Sequence, residues 1–420
     1  MAQEGLIASA TTAIQVRVGA GTDWRRVAIL PAGATIALDG RSGDATWVRG
    51  ITQNGDIGWV VTQFLSISTD QAFTLPIIDR ESPITVVAPP GGSVPSAGAP
   101  VVAEGNATPL TSSASLAQFS YGGHVESLSD TTFNYMRQAG MTWVKVQVRY
   151  SFGFSPDGAA GIINTVKGNG FRILLGVVGP RDQLLQEGYF DNYAAYVGGL
   201  AALGADAIEV WNEPNIDREW TPGNISAQSY TQLLAKSYNA IKAANPSTLV
   251  ISGAPAPTGF FGGCSGVGCD DLPFIQGMAA AGATNYMDCI GIHYNEGIVA
   301  PNRTEGDPRN PYYTRYYPSM VDTYWRAFGG RKPLCFTELG YLTPQGFGSL
   351  PGGFAWAQNV TVAEQAQWLR GVKDSALGDN RVKLMIVWNV DYKQYGDDPM
   401  AGFAIVRPDG SCPACELLGR

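Results

Sequence analysis

The sequence predicts an α/β chain in which a (β/α)8 barrel follows a small all-β barrel and a linker, and three observations predict it. From about residue 115 onward, apolar strand-like runs alternate with helical stretches eight times. Residues 5–68 instead carry short apolar runs broken by turn residues, at spacings of roughly ten residues. Between them, residues 69–114 are rich in Pro, Gly and Ser and show no periodicity.

In the first segment I-Q-V-R-V, V-A-I-L-P-A-G-A-T-I-A-L, T-W-V-R-G-I and D-I-G-W-V-V give five or so strands of a small barrel. Trp24, Trp47 and Trp59 read as core or turn residues rather than as a ligand platform. The linker is clearest in V-A-P-P-G-G-S-V-P-S-A-G-A-P (87–100) and T-P-L-T-S-S-A-S (108–115). These boundaries give domains of 1–68, 69–114 and 115–420.

The eight strand candidates are 119–125, 143–148, 172–178, 207–212, 249–253, 289–294, 333–338 and 384–389. Helical stretches lie between them, including 130–139, 229–244 and 361–372, the last opening with Thr361 and Glu364 in capping-box spacing. Eight such units over about 300 residues fit a TIM barrel, whose chemistry sits at the C-terminal ends of the strands. An open doubly wound sheet is the alternative; its glycine-rich loop is not matched by Y-G-G-H-V-E-S after the first strand.

Charge and composition narrow the function classes. A net charge of −8 disfavours a nucleic-acid partner, which needs clustered Lys and Arg. No apolar run reaches the length of a membrane span, so no membrane insertion is expected. With 52 Gly, 26 Pro and 15% charged residues the balance suits a secreted, loop-rich enzyme. Export is inferred, since M-A-Q-E-G lacks a signal-peptide core and a leader is taken to have been removed. Cys264 with Cys269, and Cys412 with Cys415, read as local disulfides. The rival, one zinc site shared by all four, suffers from the unequal spacings. Cys289 and Cys335 lie in apolar runs and read as buried thiols. No cofactor or metal is expected, because no His, Cys and Asp cluster has ligand spacing.

Chemistry is concentrated in A-I-E-V-W-N-E-P-N (207–215), an apolar strand that ends abruptly in Asn212, Glu213 and Pro214. A carboxylic acid there can protonate a glycosidic oxygen while the neighbouring amide binds a sugar hydroxyl. A second carboxylate, Glu338, ends the seventh strand in P-L-C-F-T-E-L-G, so both converge on one end of the barrel. Glu209, in mid-strand, reads instead as a solvated or salt-bridged residue.

W-N-E-P-N on strand four with F-T-E-L-G on strand seven resembles the clan of retaining barrel glycosidases. Adding the S-Y-T-Q-L-L helix and S-G-A-P (252–255), it looks closest to family 39 and its exopolysaccharide-hydrolase-like relatives, with family 5 a near neighbour. The resemblance covers about 115–405. It implies Glu213 as acid/base, Glu338 as nucleophile and Asn212 as partner of the sugar 2-hydroxyl. It further implies substrate-binding roles for His293 and Tyr294 on strand six, the Tyr hydroxyl donating to Glu338, for His124 on strand one, and for Trp388 as the aromatic floor of the first subsite. Where the clan has an Arg on strand two, this chain has Lys145, which lacks the planar fork; Arg149 is a possible substitute. Residues 5–68 in turn resemble the bacterial SH3-like domain through V-R-V-G-A-G-T-D-W, L-P-A-G-A-T-I, T-W-V-R-G and G-W-V-V-T-Q-F-L. Such domains can contact cell-wall peptides or glycans.

Long loops at 254–285 and 294–332 carry Phe260, Phe261, Tyr312, Tyr313, Tyr316 and Tyr317, and Trp220 follows the acid/base; all are able to stack sugars. The resemblance to a branch that includes chain cutters, with the appended β-barrel, implies internal cleavage of a β-linked polysaccharide with retention as the expected function. The alternatives are an exo-acting β-glycosidase, a transglycosylase, and a binding protein without catalysis. Mutual repulsion of the two carboxylates, leaving Glu213 protonated, predicts a mildly acidic pH optimum.

Overall fold

The computed structural model describes residues 6–78 (except 12, 13, 22, 23, 25, 43 and 44), Val86, Pro89, and 118–420 except Asn310. Two compact units divide it, Met1–Ala107 and Thr108–Arg420.

The first unit is a six-stranded antiparallel sheet: β1 (Leu6–Ser9), β2 (Ile14–Arg17), β3 (Arg26–Leu30), β4 (Thr35–Arg41), β5 (Trp47–Thr52) and β6 (Ile57–Val61), in the order β1-β4-β5-β6-β2-β3. Val16, Ile36, Leu38, Val48 and Val60 form its core. Trp59 is buried, and Trp24 covers Gly19, where a Cβ would meet the indole at 2.6 Å. The fold of this unit continues past residue 68. Ser68 and Gln71 form a capping box that opens α1 (Thr69–Phe73), and Ala72 and Leu75 join the same core. Most of the linker, including 108–115 and nearly all of 87–100, lies outside the described residues.

In the second unit the eight expected strands form one parallel sheet. They are β7 (Ser120–His124), β8 (Trp143–Arg149), β9 (Arg172–Val178), β10 (Ala207–Val210), β11 (Leu249–Ser252), β12 (Ile290–Tyr294), β13 (Leu334–Leu339) and β14 (Val382–Val387). Their order, β11-β10-β9-β8-β7-β14-β13-β12, is closed by a bridge from Ile251 to Cys289, with the Ser252 N–H donating to the Cys289 carbonyl at 3.1 Å. The second unit is a (β/α)8 barrel. Its helices are α2 (Asp130–Gln138), α3 (Ala160–Gly168), α4 (Tyr189–Ala202), α5 (Ala227–Ala244), α6 (Asp271–Ala280), α7 (Tyr317–Ala327) and α8 (Val362–Gly378), then short α9 (Met400–Phe403) and α10 (Pro413–Leu418). The Thr361–Glu364 capping box starts α8 as the sequence indicates.

Strand alternation sorts the side chains into two cores. Trp143, Leu174, Ala207, Ile251, Cys289, Cys335 and Leu384 pack among themselves, while Val144, Leu175, Ile208, Val250, Ile292 and Phe336 pack in the core that the helices share. Cys289 and Cys335 are buried, yet they are not thiols. They form a disulfide between neighbouring strands, with Cα atoms 5.9 Å apart. Forty-six residues of sequence separate them, so only the pairing of β12 with β13 brings them together. The local pairs Cys264–Cys269 and Cys412–Cys415 are disulfides, so the four do not share a metal site.

Candidate active site

Glu209 follows Ala207 by two residues and Lys145 follows Trp143 by two, so both side chains keep to the same face as those apolar neighbours. They form a fully buried ion pair, Lys145 Nζ to Glu209 Oε2, of 2.8 Å. Gly176 on the intervening strand leaves room: a Cβ there would lie 3.1 Å from Lys145 Cε and 3.3 Å from Glu209 Oε2.

Beyond Val210 the chain leaves β10 through two non-glycine residues with positive φ, Trp211 (73°) and Glu213 (41°). Each costs about 1–3 kcal/mol, which the surroundings supply. Trp211 packs against Tyr193 and Trp220, and its indole N–H donates to the Glu219 carbonyl at 3.1 Å. This clamp holds the exit turn and aims Glu213.

On β13, simple alternation would turn Glu338 toward the helices, since Cys335 belongs to the opposite core. Register irregularities on β12 and on β13 shift the pairing so that Glu338 lies opposite His293. His293 then bridges both carboxylates: its Nδ1 is 3.1 Å from Glu213 Oε1 and 3.8 Å from Glu338 Oε2, while Nε2 faces Glu209 Oε1 at 3.8 Å. Lys145 Nζ reaches Glu338 Oε1 at 3.3 Å and donates to the Thr337 carbonyl at 3.2 Å. His124 Nδ1 lies 3.7 Å from Glu338 Oε1. On the other side Arg218, an exposed loop residue, donates to Glu213 Oε2 at 2.7 Å.

These contacts set the charges. Burial pushes Glu338 up, but the charges of His293 and Lys145, with His124, hold its carboxyl far below the usual range. Burial likewise opposes ionisation of Glu213, and the bond and charge of His293 with the charge of Arg218 win, leaving it below the ordinary value. The expected upward shift of Glu213 by repulsion is therefore reversed; the push from Glu338 ranks behind the pull of His293 and Arg218. Burial lowers His293, and Glu338, Glu213 and Glu209 more than compensate, so it is raised above 6.5. Lys145 is likewise raised: burial acts against its charge, and Glu209 and Glu338 prevail.

The other candidates divide. Trp388 is half-buried at the end of β14, 4.8 Å from the His124 ring and 5.1 Å from Tyr392 between centroids. Asn212 is half-buried, and its Nδ2 donates to Glu219 Oε1 at 3.4 Å. Tyr294 does not reach Glu338. It directly follows the inward His293, so it faces the helices, donating to the Arg315 carbonyl at 3.2 Å and packing on Tyr317 and Tyr341. Trp220 is also unavailable to a sugar: it is fully buried between Trp211, Phe190 and Tyr230. Tyr316 and Tyr317 are core residues, which leaves Phe260, 74% exposed, with Phe261, Tyr312 and Tyr313 as loop aromatics with access to solvent. Lys145 supplies the charge beside Glu338, whereas Arg149 acts on Glu219 and Tyr392.

Sequence reasoning passed over three residues: Arg218, on Glu213; Glu219, on Asn212; and Tyr392, on His124. Glu209, read as solvated or salt-bridged, is salt-bridged and buried, since a buried Lys two residues into the interior face of β8 requires an anion.

No family model matches the chain, and no curated protein matches its sequence. Solved structures match in fold. Among them are a GH128 (subgroup II) endo-β-1,3-glucanase from Sorangium cellulosum, at TM-score 0.47 and 17% identity over 71% of this chain and 97% of that one, and an endo-1,4-β-mannanase from Rhizomucor miehei, at 0.47 and 15% over 72% and 93%. The chain is also similar to a broad-specificity GH5-4 endoglucanase from Clostridium longisporum, at TM-score 0.51 and 10% identity over 73% of this chain and 96% of that one, a likeness of fold alone.

Proposed function

We propose that the chain is a retaining glycoside hydrolase that cleaves a β-linked polysaccharide internally, with Glu213 as acid/base and Glu338 as nucleophile. One observation carries this reading: both carboxylates meet the same nitrogen of His293. Two legs of 3.1 and 3.8 Å keep those oxygens within about 7 Å of each other, which admits the roughly 5–5.5 Å of a retaining pair and only the lower edge of the 6.5–9.5 Å of an inverting one.

In this mechanism Glu338 Oε2 attacks the anomeric carbon, because Oε1 is occupied by Lys145. The C1–O bond breaks as Glu213 protonates the departing oxygen, leaving a glycosyl ester. Glu213 then takes a proton from water, the water oxygen bonds to C1, and Glu338 leaves as carboxylate. The first proton comes from His293 Nδ1, 3.1 Å from Glu213 Oε1, once a sugar displaces the exposed Arg218 from Oε2. Trp388 supplies the apolar face for the sugar ring and Asn212 the contact to its 2-hydroxyl.

The finer likeness is to family 39 and its exopolysaccharide-hydrolase-like relatives, through W-N-E-P-N and F-T-E-L-G. The solvent-exposed aromatics of the loops favour a polymer running across the mouth. The antiparallel N-terminal unit is read as an SH3-like domain that contacts cell-wall glycan. Three disulfides support an exported, extracellular protein. A screen of defined β-linked oligosaccharides, reading the anomer first released, tests bond type, cutting mode and stereochemistry together; an inverted first product would sink the retaining mechanism.

A further inference from the structure

The nucleophile assigned above lacks the two directional donors its motifs imply. Tyr294 faces away from it, and Lys145 brings charge without the fixed fork of a guanidinium. Another group stands beside Glu338. His124 ends β7 fully buried, with Nδ1 3.7 Å from Glu338 Oε1 and Nε2 3.1 Å from the Tyr392 hydroxyl. Its ring sits edge-on to Trp388 at 4.8 Å and to Tyr392 at 5.5 Å between centroids, packing that fixes its plane.

A neutral imidazole has one N–H and one lone pair, and the surroundings decide which nitrogen holds which. A lone pair on Nδ1 would point at the ionised carboxylate of Glu338, which is repulsive. The proton therefore belongs on Nδ1. Nε2 is left as the acceptor, and the hydrogen bond to Tyr392 must run from the phenol to the ring. Burial keeps His124 neutral, lowering it to about 4, with Lys145 acting in the same direction and Glu338 only partly opposing them.

We propose that Tyr392 is a positioning residue for the nucleophile: by donating its O–H to His124 Nε2, it holds the ring of the neutral tautomer so that its Nδ1–H faces Glu338 Oε1. The free-state distance of 3.7 Å is beyond hydrogen-bond length, so this N–H is poised rather than spent. It orients the carboxylate with Oε2 toward the sugar and steadies Oε1 as the carboxylate departs from C1 in the second step. This kinetic consequence rests on the hydrolase reading; the tautomer itself does not.

The chain contains two histidines, so spectra of the full-length protein labelled with 15N-histidine report two imidazoles, assigned with His124→Gln. At pH 7 the expected long-range 1H–15N pattern for His124 is the neutral Nδ1–H form, and Tyr392→Phe keeps that form but moves the Nε2 resonance downfield, as loss of a hydrogen bond to an acceptor nitrogen does. In parallel, Tyr392→Phe lowers kcat by roughly 3–10-fold with KM unchanged, the scale of one lost hydrogen bond. An Nε2–H tautomer or an imidazolium in the wild type overturns the proposal, as does an unmoved Nε2 resonance in Tyr392→Phe. The spectra require no substrate, so a chain that cleaved no glycan would refute the hydrolase reading while this result stood or fell on its own.

Discussion

Lys145 and Glu209 form an ion pair of 2.8 Å inside the barrel, both about 1% exposed, and the same ammonium reaches Glu338 at 3.3 Å. The lysine is thus shared between an anion that keeps it charged and an anion it serves. Removing one partner of such a pair leaves the other buried and uncompensated, at a cost of about 3–5 kcal/mol. Glu209→Ala is expected to lose that much in denaturant unfolding. Gly176→Ala, which pushes a methyl against Lys145 Cε, should lower kcat/KM at least several-fold while costing less stability. Wild-type stability in Glu209→Ala would show that Glu338 alone suffices as counterion of the ammonium.

The two catalytic assignments predict different losses. Glu338→Gln should abolish turnover by more than about 10³-fold on every substrate, because no covalent intermediate forms. Glu213→Gln should lose about 10²–10⁴-fold on natural leaving groups and far less on activated aryl glycosides, which depart without a proton. Equal losses of Glu213→Gln on both substrate types would remove it as the acid.

The pH dependence follows from the shifts. Glu338, which must be ionised to attack, is held far below the usual carboxylate range, so the acid limb of kcat/KM should fall below pH 4.5. His293 is raised above 6.5, so its proton is lost only as the pH climbs through that elevated value, taking the alkaline limb with it. The profile should be a broad plateau across mildly acidic and neutral pH, and His293→Asn should collapse the alkaline side. Glu338 also links to stability: its folded value is depressed, so its contribution is present above its unfolded value and disappears as the pH falls toward the folded one.

The inter-strand disulfide has a measurable worth. Closing a 46-residue separation restricts the unfolded chain by about 4 kcal/mol on the chain-entropy model. A Cys289→Ala, Cys335→Ala double variant should be destabilised by about 2–4 kcal/mol in urea, with activity at low temperature largely kept. No change under non-reducing conditions would mean that the two sulfurs are not joined.

Tyr294→Phe separates motif from geometry. If the hydroxyl served Glu338, its loss would slow turnover strongly. Bound instead to the Arg315 carbonyl, it should cost about 1 kcal/mol of stability and change kcat/KM less than about 2-fold.

What the chain's order of residues determined by itself was the set of elements and the two glutamates. Eight apolar runs, their intervening helices and the Thr361 cap follow from local periodicity and capping chemistry, and strand four and strand seven each announce their end with a carboxylate. Leu6–Ser9 was passed over because four residues with one buried position carry almost no alternation. Tertiary structure alone decided which neighbours those carboxylates have. Irregular pairing of β12 with β13 set Glu338 opposite His293, the outward face of β12 took Tyr294 away, and closure of the barrel joined Cys289 to Cys335 and Lys145 to Glu209. Such pairings depend on register and on contacts between residues far apart in the chain, and a one-residue shift reverses the face a side chain occupies, which no local pattern records.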